Sequence, residues 1–189
     1  MKNECPPNRR KFYHEWDAIK YYYHKALYWY YNRHDRAKAL RFCDPLEKLL
    51  QEHTAEHQAI LGEAAWSLLY EVKGELSKAV HYRESEIKQI KRLWEISIGT
   101  PSEEIALQGY GASDLSDRYD LLAILYHDAD NLDKALSLLQ ESKQLCQTHG
   151  VRFDGKDLVR DYLAEQKQLH AHAKLAAKKA KPRRPVVSA

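Results

Sequence analysis

Cysteine is scarce in this chain. Cys5, Cys43 and Cys146 are three in number, far apart, and never in a Cys-x-x-Cys pair. That excludes a disulfide framework and a cysteine-rich zinc site, and it fits a reducing cytoplasm. Glycine and proline are also few, seven and six in 189 residues. This is too little turn chemistry for a β-sandwich, but long helices tolerate it. No apolar run reaches the roughly 18 residues of a membrane span. The stretch MKNECPPNRRKFYHEW carries charge without an apolar core, so no secretory signal is expected. GxSxG, P-loop and GxGxxG motifs are absent, so no catalytic serine elbow, nucleotide loop or cofactor is expected.

What the chain does have is an uneven charge layout beneath a net charge of +3. Residues 1–46 hold ten basic and five acidic side chains, and residues 47–165 hold thirteen and twenty-two. Residues 166–189 hold seven basic and no acidic ones. Two basic ends flank an acidic middle, a pattern of nucleic-acid contact or of electrostatic matching within or between chains.

Three segments align without gaps: YYNRHDRAKAL from Tyr30, YEVKGELSKAV from Tyr70 and YHDADNLDKAL from Tyr126. Tyr opens each. Lys38, Lys78 and Lys134 stand ninth, and Ala39, Ala79 and Ala135 stand tenth. A small residue on one helix lets an antiparallel neighbour approach closely, and the Tyr ring fills the space beside it. The expected helices are Lys11–Asn32; Arg36–His53, broken or kinked near Asp44-Pro45; Ala55–Val72; and Glu75–Ile96. A short helix capped at Thr100 and ending at Gly109 follows. Asp114–Ala129, Leu132–His149 closed by Gly150, and Lys156–Lys179 complete the set.

The pattern resembles the tetratricopeptide repeat, in which a Tyr late in helix A precedes a small residue in helix B by nine positions. Leu122, Ala123, Tyr126, Ala135 and Leu139 all fall on that family's core positions. The alanines lie 40 and then 56 residues apart, not 34, and the helix-ending proline is missing, so the repeats are irregular. The resemblance spans about residues 15–150. It implies an all-α, right-handed α-solenoid of about three helix pairs with a C-terminal capping helix. The implied organisation is an N-terminal arm (1–10), a helical domain (11–179) and a basic disordered tail (180–189).

The resemblance also implies a concave groove that binds a protein segment. Tyr21, His24, Lys25, Tyr28, Tyr31 and Asn32 would line it from the first copy. Leu61, Ala64, Ala65, Leu68 and Glu71 would do so from the second, and Asp117, Asp120, Leu121, Ile124, His127 and Asp128 from the third. The family's basic clamp for a C-terminal carboxylate is not reproduced, since only Lys25 is basic on this face. The groove reads as aromatic, then apolar, then acidic, which suits an amphipathic or basic peptide. The expectation is a non-enzymatic, cytoplasmic adaptor or scaffold with a protein partner, no cofactor and no membrane contact.

Two features point elsewhere. His53-x-x-Glu56-His57 is the inverted form of a zinc-protease motif, and its histidines share a face if helical. A third ligand would have to be Glu63 or Glu71, without supporting context, so no metal site is expected. The run YYYHKALYWYY (residues 21–31), with Lys20, Lys25 and Arg33 nearby, could stack bases and meet phosphates. The basic tail, Lys174, Lys178, Lys179, Lys181, Arg183 and Arg184, could do the latter too. A nucleic-acid-binding accessory protein is therefore the alternative expectation.

Overall fold

The structure, a computed structural model, describes residues 7–52, 59–97 and 111–180, with side chains for 17–52, 60–97 and 111–175. All regular structure among the described residues is helical. Helix α1 (Pro7–Leu27) runs into a π-helical turn, Tyr28–Asn32. Then follow α2 (Arg36–Glu52), α3 (Ala59–Lys73), α4 (Leu76–Ser97), α5 (Ala112–Asp128), α6 (Leu132–His149) and α7 (Lys156–Ala180). Each helix from α1 to α6 packs against the next in the chain, and α1 also meets α3.

The helix pairs α1–α2, α3–α4 and α5–α6 share one turn design. A left-handed residue precedes the second helix each time: His34 (φ 51°), Gly74 (φ 83°) and Asp130 (φ 57°). The next residue's amide donates back to the first helix: Asp35 to Trp29, Glu75 to Tyr70 and Asn131 to Tyr126, all at 2.8 Å. Asp35 and Asn131 then accept the amides of Lys38 and Lys134 on their side chains, satisfying donors that a helix start leaves bare. Ala39, Ala79 and Ala135 are fully buried, as close helix approach requires.

The ungapped alignment needs one correction. The π-turn holds one extra residue, so Trp29, not Tyr30, takes the place that Tyr70 and Tyr126 hold. The ammonium groups agree: Lys38 lies 4.3 Å from the Trp29 ring centre, Lys78 4.8 Å from Tyr70 and Lys134 6.0 Å from Tyr126. Tyr30 and Tyr31 are thereby turned toward other neighbours. A second correction concerns Pro45, which sits inside an unbroken α2. Its missing N–H and ring clash disfavour a helix interior by about 3 kcal/mol. However, Ala39, Cys43, Leu46 and Leu50 place both halves of α2 in one core, and that packing prevails.

Gly74 is the turn position where substitution should be felt most. A Cβ there would lie 3.0 Å from Arg36 Nη2, in a conformation that L-residues avoid. Arg36 is held there by donating from Nε to the Val72 carbonyl at 2.7 Å. Gly74→Ala should lower the unfolding free energy by about 1–2 kcal/mol, whereas His34→Gly should leave it unchanged or raise it by up to about 1 kcal/mol. Urea denaturation of the two variants checks both signs.

Two apolar cores form. One gathers side chains of α1, α2 and α3, including Ile19, Leu46 and Leu68. The other gathers α4, α5, α6 and α7, including Ile90, Leu122, Leu139 and Tyr162. Among the described residues no helix is long and apolar enough to cross a membrane.

Candidate functional site

Between the two cores lies polar chemistry. The buried stripe of α4 is Ala79, Arg83, Glu86, Ile87 and Ile90, with helical spacing. Two of its members are charged, and both are almost wholly buried, Arg83 at 1% and Glu86 at 0% exposure. Arg83 Nη1 donates to Glu86 Oε2, and Arg118 Nε of α5 donates to Glu86 Oε1 at 2.9 Å. Arg83 Nε is buried without a partner among the described residues. The Arg83 charge also bears on Tyr23 and Tyr31 of the first helix and on Glu71 of α3.

The π-turn supplies the next layer. Tyr31 donates its hydroxyl to both oxygens of Glu71, at 2.6 and 2.7 Å. Burial pushes the Glu71 carboxyl up to about 7; the Tyr31 bond and the Arg83 charge oppose this, and the Asp128 charge adds to it. Tyr30 is raised by burial and then by the charges of Glu71 and Asp128.

Asp128 ends α5, and beside it His127 reaches α7. The His127 ring lies flat on Tyr162, with centroids 4.2 Å apart and planes 5° apart. Its Nε2 is 2.8 Å from Glu165 Oε2, and its Nδ1 is 3.6 Å from Asp128 Oδ1. Burial disfavours the imidazolium, but the bond to Glu165 and the neighbouring carboxylates outweigh it, so His127 is raised. Burial, Asp128 and Glu165 push Tyr162 up to about 12. Asp128 thus lies within electrostatic reach of Tyr30, Glu71 and Tyr162. His127 is the side chain that joins α5 to α7 here, while Tyr30 and Glu71 feel Asp128 through its charge.

The chain matches no family model, no curated protein and no solved structure.

The residues expected on one face have different fates. Tyr21 and Tyr28 are exposed at 53% and 40%, with Lys25 over the first ring and Arg33 over the second. His24, Asn32, Asp117 and Asp128 are also exposed, and Tyr31, Leu61, Leu121, Ile124 and His127 are half-buried. Ala64, Ala65, Leu68 and Glu71 are buried, so the second copy offers little open surface there. Asp120 turns toward α6. It accepts from Ser142 Oγ at 3.0 Å, within a buried set that includes Ser116 and Cys146. Burial pushes its carboxyl up to about 6 against the Ser142 bond.

His53, Glu56 and His57, the Thr100–Gly109 helix, and Lys181, Arg183 and Arg184 lie outside the described residues. Lys178 and Lys179 lie within α7, and Lys174 is exposed on it. Glu71, named as a third ligand, is instead held by Tyr31. No group of three His, Cys, Asp or Glu suited to a metal occurs among the described residues.

Arg83, Glu86 and Arg118 were not singled out from the sequence, nor was Glu165, and Tyr162 was read only as part of the apolar face of the last helix. A signal existed for the first pair. Arg83 and Glu86 share the helical stripe that begins at Ala79, so a strict reading of periodicity places two charges in the core.

Proposed function

We propose that this protein is a non-enzymatic, cytoplasmic adaptor with a tetratricopeptide-like solenoid fold, binding a basic or amphipathic protein segment. The groove would run along α1, α3 and α5. The observation that carries this reading is the cluster at the α5–α7 junction, where His127 stacks on Tyr162 and bonds Glu165 beside the exposed Asp128, whose charge reaches Tyr30 and Glu71. Carboxylates set among aromatic rings favour a lysine or arginine side chain, through charge and through the ring faces. The π-turn adds support, since such bulges are frequent at functional sites, and here it turns Tyr31 onto Glu71.

The nucleic-acid alternative has less to stand on. Of the seven rings between Tyr21 and Tyr31, Tyr23 is buried and Tyr22, Trp29, Tyr30 and Tyr31 pack against the first core. Only Tyr21 and Tyr28 remain exposed for stacking.

The test is affinity capture on the full chain from native lysate, with and without nuclease, comparing wild type with Tyr28→Ala/Asp128→Asn. Both substituted residues are exposed, so the fold should survive. A protein partner that persists after nuclease and is reduced at least tenfold by the double variant is the expected result. Recovery that depends on nucleic acid, or is unchanged in the variant, overturns the reading.

A further inference from the structure

A second surface lies on other residues. Two cavities, of about 670 and 610 Å³, run into each other along the groove between α4 and α6, floored by α5. They share Lys91, Glu95, Tyr119 and Glu141. The floor is apolar, with Leu115, Tyr119, Leu122 and Leu138 each buried but facing the cavity. At one end Trp94 meets His149, with ring centroids 4.9 Å apart.

The preceding repeat explains the opening. Tyr70 and Tyr126 are equivalent, as are Ala79 and Ala135, so Trp66 corresponds to Leu122 and Tyr82 to Leu138. In the α3–α4 pair, Trp66, Tyr70 and Tyr82 stack on one another with centroids 5.5–5.9 Å apart and planes 15–24° apart. The chain fills that position with its own rings. In the α5–α6 pair two of the three rings are replaced by leucine, Leu122 and Leu138, and these line the second cavity.

Charge defines the rim. Lys88, Lys91 and Arg92 on α4 and Lys134 on α6 border the Leu122–Leu138 part of the groove. Of the three acids on this lining, Glu84 is taken by the Tyr126 hydroxyl at 2.6 Å, and Glu95 and Glu141 lie in the part shared with the first cavity, so the Leu122–Leu138 end is the basic one. Lys91 is held 5.1 Å from the Tyr119 ring centre, at the floor. The lining stretch of α4, Glu84 to Glu95, is about 16 Å long at 1.5 Å per residue, three turns of helix.

We propose that the α4–α6 groove docks an acidic amphipathic helix of a partner protein, which inserts an aromatic side chain over Leu122 and Leu138 and sets its carboxylates against Lys88, Lys91, Arg92 and Lys134. The partner supplies the ring that the second repeat supplies for itself. Apolar anchors one turn apart, with a charged flank, are how a helix is read in a groove. This surface is independent of the patch around Asp128.

The experiment selects binders to the full chain from a displayed library of helix-forming peptides about 12 residues long, three turns and a little more. Enriched peptides should pair Trp, Phe or Tyr with Asp or Glu one turn away. Their affinity, read by fluorescence anisotropy, should fall at least tenfold with Lys88→Glu/Arg92→Glu, whose side chains are exposed, and should be unchanged by Tyr28→Ala. Leu122→Trp/Leu138→Tyr, which rebuilds the filled repeat, should abolish binding; where that variant fails to fold, the charge reversal decides. No acidic-aromatic enrichment, or binding insensitive to the charge reversal, overturns the proposal. So does a wild-type dimer in light scattering that Leu122→Trp/Leu138→Tyr dissolves, since the occupant is then a second copy of this chain.

Discussion

Glu86→Ala should lower the unfolding free energy by about 3–5 kcal/mol, the cost of stranding a buried charge. Glu86 is the shared acceptor for Arg83 and Arg118. Arg83 is 1% exposed, with its Nε already unpartnered, so it has no route to water once the carboxylate is gone. The guanidinium cannot escape by losing its proton at any pH where the protein folds. The control is Arg83→Met/Glu86→Leu, which removes both charges and keeps similar volume. It should cost far less than Glu86→Ala alone, because a buried ion pair adds little net stability over a packed apolar pair. Urea unfolding of the two variants and wild type gives the comparison. A loss under about 1 kcal/mol for Glu86→Ala would mean that Arg83 is hydrated, and equal losses would mean that shape outweighs charge at this site.

The second large effect is on pH. Glu71 is 3% exposed, and its carboxyl is held at about 7 in the folded chain against an ordinary value of 4.5. The native state therefore holds this proton more tightly than the unfolded state. The stability this contributes is complete below pH 4.5, declines as the pH rises toward 7, and is gone above that. A difference of this size corresponds to about 3 kcal/mol. Glu71→Gln keeps an acceptor for the Tyr31 hydroxyl and cannot ionise, so its stability should lack this decline. Unfolding free energies at pH 5 and pH 8 test it: wild type should lose about 2.5 kcal/mol more than the variant between them. Parallel profiles would show that Glu71 titrates as it does in the unfolded chain.

Parts of this structure were readable from residue order, and the reasons are local. The spacing Ala39, Ala79 and Ala135 located the second helix of each pair, since a small buried residue at a fixed distance from a turn is a packing requirement. Helix α6 runs from Leu132 to His149 and closes at Gly150 as expected, with Gly150 left-handed at φ 65°. Caps, stops and periodicity act within a turn or two of chain, so they are written where they act. The patch around Asp128 was half legible: His127, Asp128, Tyr31 and Glu71 were picked out, but as four members of an open face.

What the chain alone could not reveal depends on distant partners. Pro45 stays helical because the first core holds α2 on both sides of it. Tyr31 meets Glu71 because one extra residue in the π-turn rotates it forty positions along the chain toward α3. Asp120 faces inward because Ser142 of α6 is there to donate to it. Tyr162 and Glu165 join His127 because α7 packs back on the stack. The sequence by itself determined that this is a set of helices, where most of them begin and end, and that three pairs share one turn. Only the tertiary structure decided which charges are buried, because the sign of that choice depends on whether a donor or acceptor from another helix replaces the water that burial removes.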